Sequence, residues 1–555
     1  MSVITLANFS GSAQAVNPRL LPESVGVLAE DCRPGFSDLR PLCEPTHAAT
    51  LDVGEQQYSI YRFGRDDTSD SQFWLSWPER VSAVRGQDGS ENERVYFTQG
   101  AGVPAWLDAS LLATGPLDPP APVNGEPRPL AIRAPVTAIT ATVGTEPADG
   151  TQSYVGYVYT WVNDIGWESA PSPLSALVLA KAGATIYLDN MESPDYANTY
   201  RVSKIRIYRT QADGQDAANY FFLREINVPA MSPPLSSVDD GRALGELMAT
   251  TGWRPPPAGV KSLCGMWNGM MAAISKRTII FCEPYTPYAW PARYDIQSTD
   301  KPVALAAWQQ NLLVLTTGAP MLITGSSPDS LDQSVFAASV PCISPRGVVA
   351  FGHGACWPSP DGLAYSGALP DAIITRGIFT ERQWRELDPS SMVAARWGRF
   401  YACSFGPSLS RRGFLIDPTR PADGVWWLSF GWNAAWYDEL QDILYILQGN
   451  EILRFDGNDL AQNLTATYES KHFVQQEPKN YGWAKVVADG YPVRLTIYSD
   501  DQRGKLHKRM VRDVLNSRPF TLPSGFRSEV WQFKVESRHD VQAVRIANNA
   551  SELSQ

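Results

Sequence analysis

Proline and glycine interrupt this sequence along its whole length, and this spacing excludes long helices. The chain has 43 prolines and 42 glycines among 555 residues. Between them lie short runs rich in Val, Ile, Tyr, Phe and Trp, with turn signals about every ten residues, which is typical of strands. The sequence therefore predicts an all-β protein. One short helix is predicted over 380–387, with Thr380 as its cap, and a second over 244–249.

The segment from Cys282 to Pro291 combines three prolines with three aromatic residues. Each proline fixes φ and removes a hydrogen-bond donor, so the segment cannot be helical. Its aromatic side chains carry a large apolar area that must be buried against a specific surface. We therefore predict that these residues and a nearby tryptophan form packing or interface contacts: Trp267, Tyr285, Tyr288, Trp290 and Pro291.

From about residue 258 onward the sequence contains a degenerate internal repeat. Pairs of apolar strands recur with starts about 40 to 45 residues apart, the spacing of a four-stranded propeller blade. Several units share a strand, a tight turn and a second apolar strand. The predicted architecture of this region is a β-propeller. The repeat units are 263–281, 303–323, 348–365, 392–416 and 434–455.

The rest of the chain divides by composition into further segments. Alternating strands over 154–162, 204–210 and 220–226, within about 100 residues, are typical of a fibronectin type III-like β-sandwich inserted into another domain. The predicted divisions are an extended arm (1–50), a sheet forming the first part of the propeller (51–115), a proline-rich linker (116–135), the fibronectin-like insertion (136–252), the propeller blades (253–465) and a C-terminal β-region (466–555).

The charge, cysteine and hydropathy patterns exclude several functional classes of protein. The chain has 47 Lys and Arg against 58 Asp and Glu, a net charge of −11, so it lacks the basic footprint of a general nucleic-acid binder. Seven cysteines without a C-x-x-C pair predict reduced, mostly buried thiols, and five scattered histidines predict no zinc site. We expect neither a secretory signal nor a membrane helix.

Motifs for catalysis and cofactor binding are missing from the sequence. It contains no G-x-S-x-G, H-E-x-x-H, Walker A or G-x-G-x-x-G pattern, so we predict no enzyme, no cofactor and no metal. Glycoside hydrolysis needs only two carboxylates, for which Asp361, Asp417, Asp438 and Asp456 are candidates. Each stands beside proline, glycine or a polar turn, which favours a turn role.

A dense basic run lies between two alternating strands of the C-terminal region. It contains Arg503, Lys505, Lys508 and Arg509. A solvated hairpin tip is one interpretation of this run. Contact with DNA phosphates or with an acidic partner is the other.

Ten short segments, in this order, resemble the tail nozzle or tail-hub proteins of short-tailed bacteriophages, the tail tubular protein B family. The likeness spans residues from about 60 to 365. The segments are IYRFG at 60–64, YFT at 96–98, GVP at 102–104, YVYT at 157–160, ESAPS at 168–172, IRIYRT at 205–210, WRPPP at 253–257, MWNG at 266–269, EPYTPYAWP at 283–291 and PCIS at 341–344.

This resemblance implies a structural virion protein with a propeller body, in a ring of six below the head-to-tail adaptor and portal. Its central channel would retain double-stranded DNA and release it without sequence-specific binding. Tail fibres or tailspikes and the host cell envelope are the other implied partners, and the implied location is the virion tail, assembled in the host cytoplasm. The alternative is a tail component that binds or depolymerises host glycans. A secreted adhesin is disfavoured by the missing signal sequence and the unpaired cysteines.

Overall fold

The computed structural model describes residues 3–63, 74–86, 93–108, 127–194, 200–210, 219–228, 235–336, 339–367, 372–457, 461–501 and 505–553. These residues are nearly all in β-strands and loops, as predicted, with α1 (Glu381–Glu386) as the single α-helix among them. Thr380 and Gln383 cap α1 reciprocally, which confirms this predicted helix. The helix predicted over 244–249 is wrong, because these residues hydrogen-bond to the neighbouring strand at Tyr220 and Phe222.

The described residues form forty-three short strands. The first 135 residues contain β1 (Ile4–Leu6), β2 (Leu28–Glu30), β3 (Thr46–Thr50), β4 (Ser59–Arg62), β5 (Trp74–Trp77), β6 (Ala83–Arg85), β7 (Arg94–Phe97), β8 (Ala105–Asp108) and β9 (Arg128–Pro129). Residues 136–252 contain β10 (Thr140–Val143), β11 (Gln152–Val155), β12 (Tyr157–Asn163), β13 (Val178–Lys181), β14 (Ile186–Met191), β15 (Val202–Thr210), β16 (Tyr220–Asn227) and β17 (Leu235–Asp239).

The second half of the chain also consists mainly of short strands. Residues 253–465 contain β18 (Lys261–Gly265), β19 (Met271–Ser275), β20 (Thr278–Phe281), β21 (Ile296–Gln297), β22 (Pro302–Trp308), β23 (Asn311–Thr316), β24 (Met321–Thr324), β25 (Asp332–Val335), β26 (Val349–Phe351), β27 (Gly354–Ser359), β28 (Gly362–Tyr365), β29 (Val393–Trp397), β30 (Phe400–Phe405), β31 (Arg412–Ile416), β32 (Trp426–Leu428), β33 (Ala434–Asp438), β34 (Ile443–Gln448) and β35 (Glu451–Arg454). Residues 466–555 contain β36 (Ala466–Glu469), β37 (Phe473–Lys479), β38 (Trp483–Ala488), β39 (Val493–Asp500), β40 (Leu506–Val514), β41 (Phe520–Thr521), β42 (Ser528–Ser537) and β43 (Val541–Ala547).

Short 3-10 helices occupy several of the connections between strands. They are Trp267–Gly269, Ala292–Tyr294, Pro328–Ser330, Pro345–Gly347, Pro389–Ser391 and Pro421–Asp423, and a further 3-10 helix, Ala550–Leu553, follows the last strand.

Each of the five predicted repeat units belongs to a different group of sequential antiparallel strands. These groups are β18–β21, β22–β25, β26–β28, β29–β32 and β33–β35. Two further sheets, β4–β5 and β6–β9, come from residues 51–135. The predicted turns lie between strands, as at Asn268, whose φ of 59° is in the left-handed region that Asn tolerates.

The first strands of these seven groups contact one another in a closed order. β6 contacts β18, β18 contacts β22, β22 contacts β26, β26 contacts β29, β29 contacts β33 and β33 contacts β4. The Ser59 hydroxyl on β4 completes the circle, because it accepts from the Val81 N–H just before β6 and donates to the Glu79 carbonyl. The seven groups are therefore linked in a closed order, which we call the circle of sheets.

Two long-range links join the start of the chain to residues 434–454. Strand β3 pairs antiparallel with β35 and becomes the outer strand of the sheet β33–β35. Arg62 on β4 donates to Asp438 on β33 at 2.9 Å, and both side chains are almost completely buried. The circle of sheets is thus fastened by strand pairing on its outside and by a buried ion pair within it.

Residues 136–252 form three small sheets around a shared core. The sheets are β10–β14–β17, β11–β13 and β12–β15–β16. The core of this unit is continuous with that of the neighbouring sheets β6–β9 and β18–β21.

The C-terminal region packs two sheets around a second core that also receives the start of the chain. One sheet has the order β1–β43–β38–β41, so β1 covers an edge of β43. The other contains β36, β42, β39 and β40, and β2 connects it to β32 of the circle. Residues 1–50, for which the sequence predicts an extended arm, thus add one short strand to each of three sheets.

All seven cysteines are free, and five of them are buried. Burial raises the pKa of Cys264, Cys282, Cys342 and Cys403 to about 12 each. Because the thiolate is the reactive form, the raised pKa slows the reaction of all four thiols at pH 8, and Cys282, Cys342 and Cys403 are also buried. We expect Ellman's reagent to modify at most the partly exposed Cys43 rapidly in the folded protein and all seven thiols in urea. Rapid reaction of several thiols without denaturant would contradict this placement.

Candidate functional site

Four aromatic side chains from distant parts of the sequence meet where residues 136–252 join the circle of sheets. Trp106, Trp167, Trp253 and Tyr288 form this group, which we call the aromatic junction. Tyr288 stacks on Trp167 with ring centroids 4.9 Å apart, and Trp106 lies 5.0 Å from Trp167 on another side. Trp253 meets the edge of Tyr288 at 5.8 Å. Burial raises the pKa of Tyr288 to about 12.

The proline-rich segment forms a compact series of turns that presents Tyr288 to this junction. The Glu283 N–H donates to the Ala289 carbonyl, and the Ala289 N–H donates back to Thr286. Trp290 is fully buried, and its indole N–H donates to the Pro287 carbonyl at 2.8 Å. Arg254 fixes the end of the segment, since its carbonyl accepts from the Trp290 N–H and its Nε donates to the Trp290 carbonyl. The segment is a rigid support, as its prolines predict.

A polar network lies beside the junction and is centred on Glu168. Its carboxylate accepts from the Thr160 hydroxyl at 2.5 Å, from Arg206 at 2.8 Å and from the Tyr208 hydroxyl at 2.7 Å. Burial, together with the Glu168 charge, raises the pKa of Tyr208. These bonds tie the loop that carries Trp167 to β12 and β15, so the loop position is fixed on both its apolar and its polar side.

The other predicted packing residues of this region have different surroundings. Pro291 is buried at the start of the 3-10 helix Ala292–Tyr294. Trp267 is half-buried against the core shared by β18–β21 and β22–β25. Tyr285 is 61% exposed, and its ring lies so close to Gly269 that a Cβ there would be 2.4 Å from it. Tyr288, Trp290 and Pro291 thus lie together, whereas Tyr285 faces outward.

The four candidate carboxylates of the sequence lie in turns or in structural ion pairs. Asp438 accepts from Arg62 and from the Leu440 N–H. Asp417 forms an ion pair with Arg399 and accepts from the Thr419 N–H. Asp456 binds Arg33 and the Cys43 N–H. Asp361 lies in an exposed turn. The geometry of all four is that of turn and strand-end residues.

The basic run of the C-terminal region lies at the turn between β39 and β40. Arg503 lies outside the described residues, whereas Lys505 and Lys508 are exposed. Arg509 is held by the Ser499 hydroxyl at 2.8 Å and by the Asp500 carbonyl, and it stacks on Phe526. Two of the three described cations therefore remain open to a partner.

Sequence reasoning missed a cavity between the first strands of four of the seven groups, which we call the axial cavity. Its volume is about 250 Å³, and β4, β6, β29 and β33 contribute to its wall. Two arginines, Arg80 and Arg346, line it. Neither belongs to a cluster of charges in the sequence, and 266 positions separate them, so no local pattern indicated the pair. Among the described residues, no group of three or more His, Cys, Asp or Glu side chains could hold a metal ion.

Comparisons with known proteins give no family for this chain. No family model matches the sequence, and no curated protein is similar to it. A protein of unknown function from Bacteroides thetaiotaomicron is 10% identical with a TM-score of 0.23, and the alignment covers 72% of this chain and 98% of that one. A glycoside hydrolase family 43 arabinoxylan arabinofuranohydrolase from Bacillus subtilis is 10% identical with a TM-score of 0.15, covering 66% and 93%. Similarities this low assign neither fold nor function. Within the described residues, no helix has the length and apolar character to cross a membrane.

Proposed function

We propose that this protein is a structural subunit of the tail nozzle of a short-tailed bacteriophage. The observation that carries the proposal is the convergence of the segments that resemble that family. Segments 168–172, 205–210, 253–257 and 283–291, far apart in sequence, meet at the aromatic junction and its Glu168 network. Residues that cooperate in one packing unit support a common architecture more strongly than isolated short motifs do.

For the architecture we infer a seven-bladed β-propeller with an inserted β-sandwich of fibronectin type III-like form. The closed order of first strands supports the propeller, and so does the strand β3, which completes the sheet of residues 434–454. Such closure protects the sheet edges of a propeller. The aromatic junction then fixes the insertion against the blades β6–β9 and β18–β21.

In this proposal the protein works by rigidity and by weak attraction for DNA. Fixed packing between insertion and blades keeps a tube wall in shape while DNA passes. A net charge of −11 limits counterion release from the duplex, so phosphates are not held tightly. A closed ring of six needs heterologous contacts between neighbouring subunits, with the head-to-tail adaptor and portal above it and fibres or tailspikes around it. Its place would be the virion tail, next to the host envelope during ejection.

Purification followed by single-particle imaging tests this proposal. We expect closed rings with six-fold symmetry, and a mass six times the 61.1 kDa of the chain, at micromolar concentration or when adaptor and portal are present. A chain that stays monomeric under all these conditions and is missing from purified tails would contradict the proposed function.

A further inference from the structure

The axial cavity contains positive charge that no acidic side chain neutralises. Arg80 donates through Nη2 to the Pro345 carbonyl at 3.2 Å, and Arg346 donates through Nη2 to the carbonyls of Tyr58 and Asn433. All these acceptors are neutral. Within the part of the chain that the structure describes, neither arginine has a carboxylate at ion-pair distance. The Glu79 carboxylate, next in sequence to Arg80, lies against Gly100 instead.

Both arginines carry their charge in unfavourable surroundings. Burial lowers the pKa of Arg80, and burial, Arg411 and Arg80 together lower the pKa of Arg346 to about 10. Arg411 makes four hydrogen bonds to Ser391, Ser404 and Gly406, and it adds positive potential at Arg346. Like charges that are partly removed from water are costly unless a counter-charge is supplied.

Both guanidinium groups keep donors for such a counter-charge. Only Nη2 of each makes a hydrogen bond to described residues, and the remaining N–H groups are not buried. Both residues line the cavity. Tyr58, Trp77 and Trp436 form an aromatic part of the wall, and the Arg346 guanidinium lies over the Tyr58 ring at 5.4 Å. The volume of about 250 Å³ is that of about eight water molecules, at about 30 Å³ each, which suits a small ligand.

We propose that the axial cavity binds a small organic or inorganic anion through a carboxylate or phosphate group held between Arg80 and Arg346. Guanidinium groups match both oxyanions with paired hydrogen bonds, and an anion relieves the repulsion between the two cations. The aromatic wall provides a surface for the remainder of an organic ligand. This site is independent of the proposed role in a phage tail, since it needs only the single folded chain.

Titration calorimetry and thermal unfolding of the full chain test the site with two anions, inorganic phosphate and glucuronate, and with glucose as a neutral control. Ionic strength is held constant with sodium chloride. We expect at least one anion to bind with a stoichiometry of one and to raise the melting temperature by about 1–4 °C at ten times its Kd. Binding of phosphate alone or glucuronate alone identifies the group that the site prefers. Glucose should produce no effect.

Variants then locate the binding. Arg346→Gln and Arg80→Gln should each weaken binding by more than about tenfold. The matched control is Arg382→Gln, which removes an exposed cation on α1 and should leave binding unchanged. Circular dichroism verifies that each variant folds, and Arg346→Lys provides a second test because it keeps the charge but loses the planar fork. Failure of both anions to bind, or equal binding by wild type and both glutamine variants, overturns the proposal.

Discussion

Replacing Trp290 with alanine is expected to lower the free energy of unfolding by about 3–5 kcal/mol. The side chain is 0% exposed, and its removal leaves a large cavity behind the aromatic junction. The Pro287 carbonyl also loses its indole donor. If the proposed ring forms, this variant should assemble poorly, because Tyr288 would lose the support that holds it on Trp167. Urea unfolding followed by tryptophan fluorescence and circular dichroism measures the change in stability.

Two control variants test whether the loss of stability comes from removing a buried side chain or from any change in the proline-rich segment. Tyr285→Ala alters the same segment at a side chain that is 61% exposed, so its cost should stay below about 1 kcal/mol. Trp290→Phe keeps most of the buried volume and should cost less than the alanine variant. Equal stability of Trp290→Ala and wild type would show that this segment does not support the junction.

Local features of the fold were predictable from the sequence because their signals lie close together in the chain. The strand spacing after residue 258 located five groups of sequential strands, and the turn residues lie where the chain reverses. The capping residue Thr380 marked the only described α-helix. At 244–249 the local helix propensity was misleading, because the backbone of these residues forms its hydrogen bonds with a neighbouring strand. Tertiary pairing of this kind overrides weak helix preference.

The contacts that define the sites could not be predicted, because they join residues far apart in sequence. Tyr288 was expected to be buried, but nothing in its neighbourhood specifies Trp167 as its partner. The same holds for Arg80 and Arg346, which are isolated cations in the sequence and neighbours only after the sheets have closed into a circle. In the basic run seen in the sequence, the described lysines Lys505 and Lys508 are instead exposed at and near the start of β40.

The sequence of the first 50 residues indicates little about their role, whereas the structure shows a clear one. Their prolines and short apolar fragments lack any period, yet the segment joins three sheets that are separate elsewhere. β1 pairs with β43, β2 lies between β32 and β36, and β3 pairs with β35. Since these partners lie at the far end of the chain, the arm couples the C-terminal region to the circle of sheets.

Combined replacement of Ile4 and Leu6 by alanine is expected to destabilise the C-terminal region by about 4–10 kcal/mol, at about 2–5 kcal/mol for each buried side chain. Ile4 is 5% exposed and Leu6 is 1% exposed, and both face the core beneath β43. Their loss would release β1 and uncover the edge of β43, whose backbone pairs with it from Val544 to Ile546. Hydrogen exchange of a peptide covering 541–547 measures this release directly, and its amides should exchange much faster than in wild type.

Thr5 provides the matched control, because it lies between the two residues on the same strand and its side chain is exposed. Thr5→Ala should change the stability by no more than about 0.5 kcal/mol. A peptide covering 312–316 in β23, which belongs to a different core, should keep its exchange rate in both variants. Unchanged protection of 541–547 in the double variant would show that β43 is stable without β1. The arm would then be only attached to the C-terminal sheet and not part of its stability.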